Sequence, residues 1–144
     1  MKEKILLVDG HSMIFDWDDL ATMHGRNTAA AREELVRRLT GLQDNSDWTV
    51  AVIFDGVGVK PSSDGTPHGI AVFYSKSGQT ADSIIERLAA KYAKDHDVTV
   101  ATNDLMERTT AEAFGSFTIS GLQLRAEIDM AQNSVSETIQ RLRR

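Results

Sequence analysis

The sequence predicts an α/β fold with a central, mainly parallel five-stranded sheet flanked by helices, and three observations support this class. Short runs rich in β-branched residues alternate with longer runs whose apolar residues recur at helical spacing, which is typical of parallel strands joined by helical crossovers. Residues 5–8 and 50–54 are almost continuously apolar, as in strands that are buried on both faces. The length of 144 residues suits one hydrophobic core, so we expect a single domain over residues 1–144.

Five segments have the composition of strands, because they are short, apolar and separated by residues that favour turns. In chain order they are residues 5–8, 49–54, 70–74, 98–102 and 117–119. The stretch 56–69, between the second and third strands, contains Pro61 and Pro67 with serine, aspartate and glycine between them. We interpret it as a long loop, and loops of this length are often functional.

Three longer segments are predicted to be helices. Asn27 or Thr28 can cap the first, Thr80 can cap the second, and the third begins after Ser120, because these side chains accept hydrogen bonds from free amides at helix starts. Each helix has an apolar stripe to bury. The stripes consist, in turn, of Ala31, Leu35, Leu39 and Leu42; of Ala81, Ile84, Ile85, Leu88 and Tyr92; and of Leu124, Ile128, Ala131, Val135, Ile139 and Leu142. Met13, Ile14 and Phe15 are expected to pack against the sheet.

The composition excludes several functional classes. The chain has no cysteine, which removes disulfides, thiolate zinc sites and cysteine nucleophiles, and fits a reducing cytoplasm. Its net charge of −5 argues against a protein that binds nucleic acid through its overall charge. The apolar runs are far shorter than the roughly 20 residues that cross a bilayer, and the first ends without a signal-peptide cleavage pattern. We therefore expect a cytoplasmic protein with no membrane contact.

Four aspartates are predicted to meet at one edge of the sheet. Asp9 follows the first predicted strand, Asp55 follows the second, and Asp104 comes two residues after the fourth. Asp82 lies in the first turn of the helix that follows the third strand. Because the carboxyl ends of parallel strands share one edge, and open α/β folds place their sites there, these carboxylates should converge. Any one of them alone is more simply explained as a turn or helix cap.

Converging carboxylates repel each other unless a cation or a proton compensates them. Oxygen ligands without cysteine or suitably spaced histidine favour Mg²⁺ or Mn²⁺, which bind through a few carboxylates and substrate phosphate. Two such ions roughly 3.5 to 4 Å apart activate a water and stabilise the leaving oxygen of a phosphodiester. We assign Asp9 and Asp82 as principal ligands, with Asp104 and Asp55 completing or orienting the site through water. Ser12 either hydrogen-bonds a ligand or phosphate oxygen or caps a helix.

Four blocks of this sequence resemble the YacP-like group of NYN-domain proteins, which are relatives of PIN-domain nucleases. The first block is a hydrophobic strand that ends in Asp9-Gly10-His11-Ser12, where the family usually has Asp-Gly-Tyr-Asn. The third block opens a helix with Thr80-Ala81-Asp82. The blocks occupy residues 5–14, 52–56, 76–82 with Glu86, and 98–104. Their order and spacing agree with the family over most of the chain.

The resemblance implies a PIN-like, three-layer NYN fold and a metal-dependent endoribonuclease activity. It implies that the acidic residues of the site correspond here to Asp9, Asp82 and Asp104, with Asp55 nearby, and that the substrate is RNA. One branch of the family resembles a ribosome-associated endonuclease that cuts messenger RNA during translation, so the ribosome is an expected partner. The residues expected to contact RNA are Ser12, Lys60, His68, Lys76 and Asn103.

Two other functional classes stay open at this point. A domain of the same fold could bind RNA or a ribosome without cutting, although a pure binder would gain by losing carboxylates near phosphates. A phosphoacceptor receiver also places aspartates after its strands, but it needs an adjacent acidic pair and a late lysine. Here Asp9 is followed by Gly10, and no lysine lies near the end of the fifth predicted strand at Ile119.

Overall fold

The structure is a computed structural model that describes residues 2–56, 69–76 and 78–143. Its elements, in chain order, are β1 (Lys4–Asp9), α1 (Gly10–Asp16), α2 (Asp18–Arg26), α3 (Thr28–Asp44), β2 (Trp48–Phe54), β3 (Ala71–Tyr74), α4 (Ala81–Tyr92), β4 (Asp97–Ala101), α5 (Leu105–Ala113), β5 (Phe117–Ile119) and α6 (Gly121–Leu142). All five predicted strands and all three predicted helices are confirmed. Three helices, α1, α2 and α5, were not predicted. The loop predicted over residues 56–69 lies almost entirely outside the described ranges.

The five strands form one sheet in the order β3-β2-β1-β4-β5. Every pairing is parallel, as the alternation of strands and helices predicted. The chain first builds outward on one side of β1 and then returns to add β4 and β5 on the other side. The carboxyl ends of β1 and β4 therefore flank the switch in strand order, where open α/β sheets form a crevice.

The molecule has three layers, because both faces of the sheet are covered. Side chains of β1 alternate between the faces, so Leu6 and Val8 join one core while Leu7 joins the other. The first core is completed by residues of α1, α2, α3 and α6. The second is completed by α4 and α5. This arrangement matches the predicted α/β fold class and holds the carboxyl edge of the sheet between two helical layers.

The helix starts follow the predicted capping chemistry. Asn27 accepts a hydrogen bond from the Ala30 amide at the start of α3. Thr80 and Ser120 each form a reciprocal capping box at the starts of α4 and α6. These caps fix where α4 begins, and hence where Asp82 lies in its first turn.

The apolar stripe predicted for α6 is buried only in its first half. Leu124 and Ile128 are buried, whereas Ile139 is 47% exposed and Leu142 is 80% exposed. The helix has 22 residues and is therefore about 33 Å long, which exceeds the length of α3 and α1, the 17-residue and 7-residue helices that it packs against. The prediction that the whole stripe packs was wrong for this reason.

The start of α1 requires a glycine, because the helix passes very close to the end of β2. A Cβ atom on Gly10 would lie 2.3 Å from the ring of Phe54 and 3.1 Å from the carbonyl oxygen of Ile53. Met13 and Ile14 on this helix are fully buried, as predicted, but Phe15 is 59% exposed. The expectation that Phe15 packs against the sheet was wrong, because it lies on the outer side of this short helix. Among the described helices, none combines the length and the apolar composition that crossing a membrane requires.

Candidate metal centre

Three carboxyl groups meet at the carboxyl edge of the sheet, and we call them the acidic trio. Asp9 is the last residue of β1, Asp82 lies in the first turn of α4, and Glu107 lies in the first turn of α5. One carboxylate oxygen from each lies within 4.8 Å of the other two. Asp9 and Glu107 are buried, being 7% and 3% exposed, and Asp82 is half-buried. The predicted convergence of Asp9 and Asp82 is therefore seen, with a glutamate as the third member.

Thr102 holds the buried side of the trio in place. Its hydroxyl oxygen is fully buried, lies 3.0 Å from Glu107 Oε2 and 3.4 Å from Asp9 Oδ2, and accepts a hydrogen bond from the Asp104 amide at 3.1 Å. A hydroxyl has one proton to donate. The shorter distance favours donation to Glu107, so this hydroxyl cannot satisfy both carboxyl groups at once.

The trio is electrostatically strained when no cation is bound. The pKa of Glu107 is raised to about 10, first by burial and then by the nearby carboxylates of Asp9 and Asp82. Burial also raises the pKa of Asp82; the hydrogen bond from Glu107 lowers it, while the charges of Asp9, Asp104 and Asp55 raise it. At neutral pH Glu107 therefore holds a proton in the metal-free protein.

The donor set fits a hard divalent cation. It consists of oxygen atoms, its charges repel each other, and Oε1 of Glu107 is buried with no hydrogen-bond partner in the described part of the chain. A buried carboxylate oxygen without a partner carries a desolvation penalty. A cation among the three side chains would remove both costs. Oxygen-only sites of this kind suit magnesium and manganese better than zinc.

Asp104 and Asp55 lie near the trio but are not part of it. Oδ1 of Asp104 caps α5 by accepting hydrogen bonds from the amides of Met106 and Glu107 at 2.9 and 3.3 Å. Oδ1 of Asp55 accepts a hydrogen bond from the Ala81 amide at 2.7 Å. Each aspartate thus anchors the helix that supplies one member of the trio, and both charges raise the pKa of Asp82. Their predicted roles in completing the metal site or orienting it through water stay predictions.

Ser12 and Asn103 connect the edge of the sheet to its neighbouring helices. Ser12 lies inside α1, whose cap is Asp9, so the interpretation of Ser12 as a cap was wrong. Its hydroxyl accepts a hydrogen bond from the Asn103 amide at 2.8 Å. Asn103 in turn accepts one from the Gly121 amide at 2.9 Å. These bonds join α1, the β4–α5 connection and α6 around the site.

Of the three basic residues predicted to contact RNA, the structure describes only Lys76. Lys76 is exposed and follows β3 at the same edge. Lys60 and His68 lie outside the described residues. Arg32 was not predicted as a site residue, yet it donates a hydrogen bond to the Asp55 carbonyl oxygen at 2.7 Å. Its guanidinium lies over the ring of Phe54 at 5.3 Å, and the residue is 9% exposed.

Glu107 is the member of the site that the sequence reasoning missed. Its signal was present, because Asp104 and Glu107 are separated by two residues, a spacing that marks a helix start. That pattern would have assigned Glu107 to a capping role on the helix surface. Instead its side chain turns inward to Thr102, and the packing of α5 against α4 and β5 determines this orientation.

The comparisons with known proteins identify the family and the fold. A family model described as the YacP-like NYN domain matches residues 6–144. The chain is 29% identical over 140 residues to the uncharacterized protein YacP of Bacillus subtilis (strain 168), covering 96% of this chain and 82% of that protein.

Two crystal structures of Rae1 (YacP) from Bacillus subtilis have the same fold. One matches with a TM-score of 0.82 and 29% identity, over 96% of this chain and 80% of that chain. A mutant of Rae1 matches with a TM-score of 0.82 and 26% identity, over 96% of this chain and 82% of that one. The resemblance drawn from the four sequence blocks is confirmed, and so is the PIN-like, three-layer fold class. This chain belongs to the YacP-like NYN domain family.

Proposed function

We propose that this protein is a metal-dependent endoribonuclease that hydrolyses RNA phosphodiesters with Mg²⁺ or Mn²⁺ held by the acidic trio. The observation that supports the proposal is the meeting of Asp9, Asp82 and Glu107 within 4.8 Å of one another at the carboxyl edge of the sheet. Membership of the NYN family adds support, because the family has a nuclease-like fold. The trio, rather than the family, identifies which residues would do the chemistry.

The trio would hold the cation through one oxygen of each side chain, with Asp104 and Asp55 fixing the helices around it. A bound divalent ion supplies an activated water and stabilises the charge that develops on the leaving oxygen. The chain supplies rigidity: Asp9 accepts a hydrogen bond from the Ser12 amide at 3.3 Å, and Thr102 lies beside both Asp9 and Glu107. Ligand oxygens that are fixed before substrate binds lose little entropy when the reaction begins.

Glu107 has a second role in this scheme. Its raised pKa, caused first by burial, keeps it protonated at neutral pH in the metal-free protein. It must release that proton to become a ligand, since carboxylates bind metals in their ionised form. The site thus exchanges a proton for a metal ion.

The proposal includes two further expectations that come from the family resemblance. One is that the RNA is messenger RNA, and the other is that the protein acts at the ribosome. Co-sedimentation of the purified protein with ribosomes through a sucrose cushion would test both the association and its independence from the trio. A domain that binds RNA without cutting is the alternative. Variants of the acidic trio, described next, separate it from a nuclease.

The proposal is tested by incubating a single-stranded RNA with the protein in Mg²⁺ or Mn²⁺. We expect cleavage by the wild type and a loss of at least about a hundredfold in Asp9→Asn, Asp82→Asn and Glu107→Gln, which is the size of effect that follows from losing a metal-held charge. Asp95→Asn is the matched control, because Asp95 is exposed in the turn before β4, at the far end of the sheet. Metal-independent cleavage, or equal rates in all variants, would overturn the proposal.

A further inference from the structure

The outer side of α1 presents two stacked rings next to the metal centre. His11 and Phe15 are one helical turn apart, their ring centroids are 5.9 Å apart, and their planes differ by 28°. Phe15 is 59% exposed, although the adjacent Ile14 and nearby Met13 on the same helix are fully buried. The exposed Phe15 ring also meets the ring of His24 edge-on, with centroids 5.0 Å apart, so it is held in place by its neighbours while remaining accessible to a ligand.

The ring pair is connected to the acidic trio through Asp55. Nδ1 of His11 accepts a hydrogen bond from the Asp55 amide at 3.2 Å, and the same nitrogen lies 3.9 Å from the Asp55 carboxylate. The other carboxylate oxygen of Asp55 accepts the Ala81 amide hydrogen bond, one residue before Asp82. The ring pair is thus linked through Asp55 to the first turn of α4, the helix that carries Asp82.

The hydrogen bond from Asp55 also fixes the state of the His11 ring. Because Nδ1 accepts a proton donor, the neutral ring carries its proton on Nε2. The ring of Phe54 packs edge-on against His11 from the protein interior, with centroids 6.3 Å apart. His11 is thus a fixed support behind Phe15, and a supported aromatic ring loses little freedom when a second ring stacks on it.

The negative charge of the molecule limits how RNA can bind at this edge of the sheet. The net charge is −5, and the trio, Asp55 and Asp104 all lie at this edge, so phosphate groups meet a repulsive field. Arg32, which contacts Asp55 here, is only 9% exposed and is already engaged with the Asp55 carbonyl and the Phe54 ring. Lys76 is exposed at this edge, and contacts that do not depend on charge, such as base stacking, would add to its contribution to RNA affinity.

We propose that His11 and Phe15 form a stacking platform for an unpaired nucleobase of the RNA that the metal centre cleaves. This inference rests on the proposed function and specifies its substrate further. Bases in a duplex are covered on both faces by their neighbours, so only a single-stranded or flipped-out base can stack on Phe15. Stacking is tolerant of base identity, so the platform places the strand without reading its sequence.

The platform is tested by fluorescence anisotropy with a labelled single-stranded RNA oligonucleotide in the presence of EDTA, where binding is separated from cleavage. We expect Phe15→Ala and Phe15→Leu to weaken binding by about fivefold or more, the loss typical of one stacked base. Phe15→Tyr should retain affinity, because it keeps the ring. Phe117→Ala is the matched control, since Phe117 is 65% exposed but lies on the edge strand β5, which β4 separates from β1.

An abasic oligonucleotide of the same length provides the second measurement. The wild type and Phe15→Ala should bind it equally weakly, because no base is available to stack. Unchanged RNA affinity in Phe15→Ala, an equal loss in Phe117→Ala, or a persisting difference on the abasic strand would overturn the platform.

Cleavage of the same RNA in Mn²⁺ separates this inference from the proposed function. Binding that depends on Phe15 without any metal-dependent cleavage would support the platform and refute the nuclease. Cleavage that depends on Asp9, together with RNA binding that does not depend on Phe15, would support the nuclease and refute the platform. A wild type that neither binds nor cleaves RNA would overturn both.

Discussion

Asp82 and Glu107 place carboxyl oxygens within 4.8 Å of each other across the first turns of α4 and α5, and this proximity affects their pKa values in opposite directions. Burial is the largest cause of the rise in the pKa of Glu107 to about 10, to which Asp82 also contributes; burial raises the pKa of Asp82 as well, and Glu107 lowers it by less. The proton therefore belongs to Glu107. This pair makes the metal-free protein hold, inside its fold, an acid that would ionise in the unfolded chain at neutral pH.

Glu107→Gln is predicted to stabilise the metal-free protein and to flatten its pH dependence. The pKa of Glu107 is raised from 4.5 to about 10 on folding, with burial as the largest cause. Between those values the folded state binds the extra proton, so the free energy of unfolding falls as pH rises, by at most about 1.4 kcal/mol per pH unit from this one group. Below the unfolded pKa both states are protonated and the effect vanishes.

Urea unfolding in EDTA between pH 5 and about pH 9, below the folded pKa, measures this difference. The wild type should lose stability across the range relative to Glu107→Gln. Identical pH profiles for the two proteins would show that Glu107 does not carry the proton.

Divalent metal is predicted to stabilise the wild type against heat. A ligand that binds only the folded state adds about 2.7 kcal/mol when its free concentration is a hundred times its dissociation constant. Mn²⁺ should raise the Tm of the wild type and of Asp95→Asn, and EDTA should reverse the shift. Differential scanning calorimetry of Asp9→Asn and Asp82→Asn should show little or no shift; a shift as large as that of the wild type would mean that the ion binds elsewhere.

The sequence was sufficient to predict the sheet, the capped helices and the meeting of Asp9 with Asp82. Those features follow from local patterns, because strand ends and helix starts can be read from neighbouring residues. The inward turn of Glu107 and the exposure of Phe15 could not be read in this way. Both depend on which side of a short helix faces the sheet, and α1 and α5 have 7 and 9 residues, too few for a clear apolar stripe.

The outer position of Asp104 and Asp55 has a similar physical reason. Each follows a strand, as a ligand at this edge would, but each carboxylate also has free helix amides within reach. Asp104 accepts hydrogen bonds from two amides of α5, and Asp55 accepts one from the first residue of α4. Whether such an aspartate caps a helix or binds a metal depends on where the next helix begins. The pattern of residues in the strand does not give that position.

Thr102→Val is predicted to disturb the trio while preserving shape. The substitution removes the hydroxyl that lies 3.0 Å from Glu107 and that accepts the Asp104 amide hydrogen bond. Leaving these buried groups without a partner should cost about 1 to 3 kcal/mol of unfolding free energy and should lower metal-dependent cleavage. Thr99→Val in β4, the strand that ends just before Thr102, is the control, and chemical denaturation of both variants compares them. An equal loss of unfolding free energy in Thr102→Val and Thr99→Val would mean that the Thr102 hydroxyl has no specific role in the trio.

Gly10→Ala is predicted to be strongly destabilising. Its Cβ would lie 2.3 Å from the Phe54 ring, so the ring or α1 must shift, and forced overpacking costs about 1 to 3 kcal/mol or more. Gly25→Ala in α2 has open space around the added carbon and should be neutral or slightly stabilising. Comparing their urea midpoints tests the close approach of α1 to β2, and similar midpoints would refute it.

The most direct test of the metal centre is an anomalous difference map from a crystal of the wild-type protein soaked in Mn²⁺. The account predicts an anomalous peak bounded by the carboxylates of Asp9, Asp82 and Glu107, and its loss in Asp82→Asn. A map with no peak among these three side chains, at a manganese concentration that supports RNA cleavage, would contradict it.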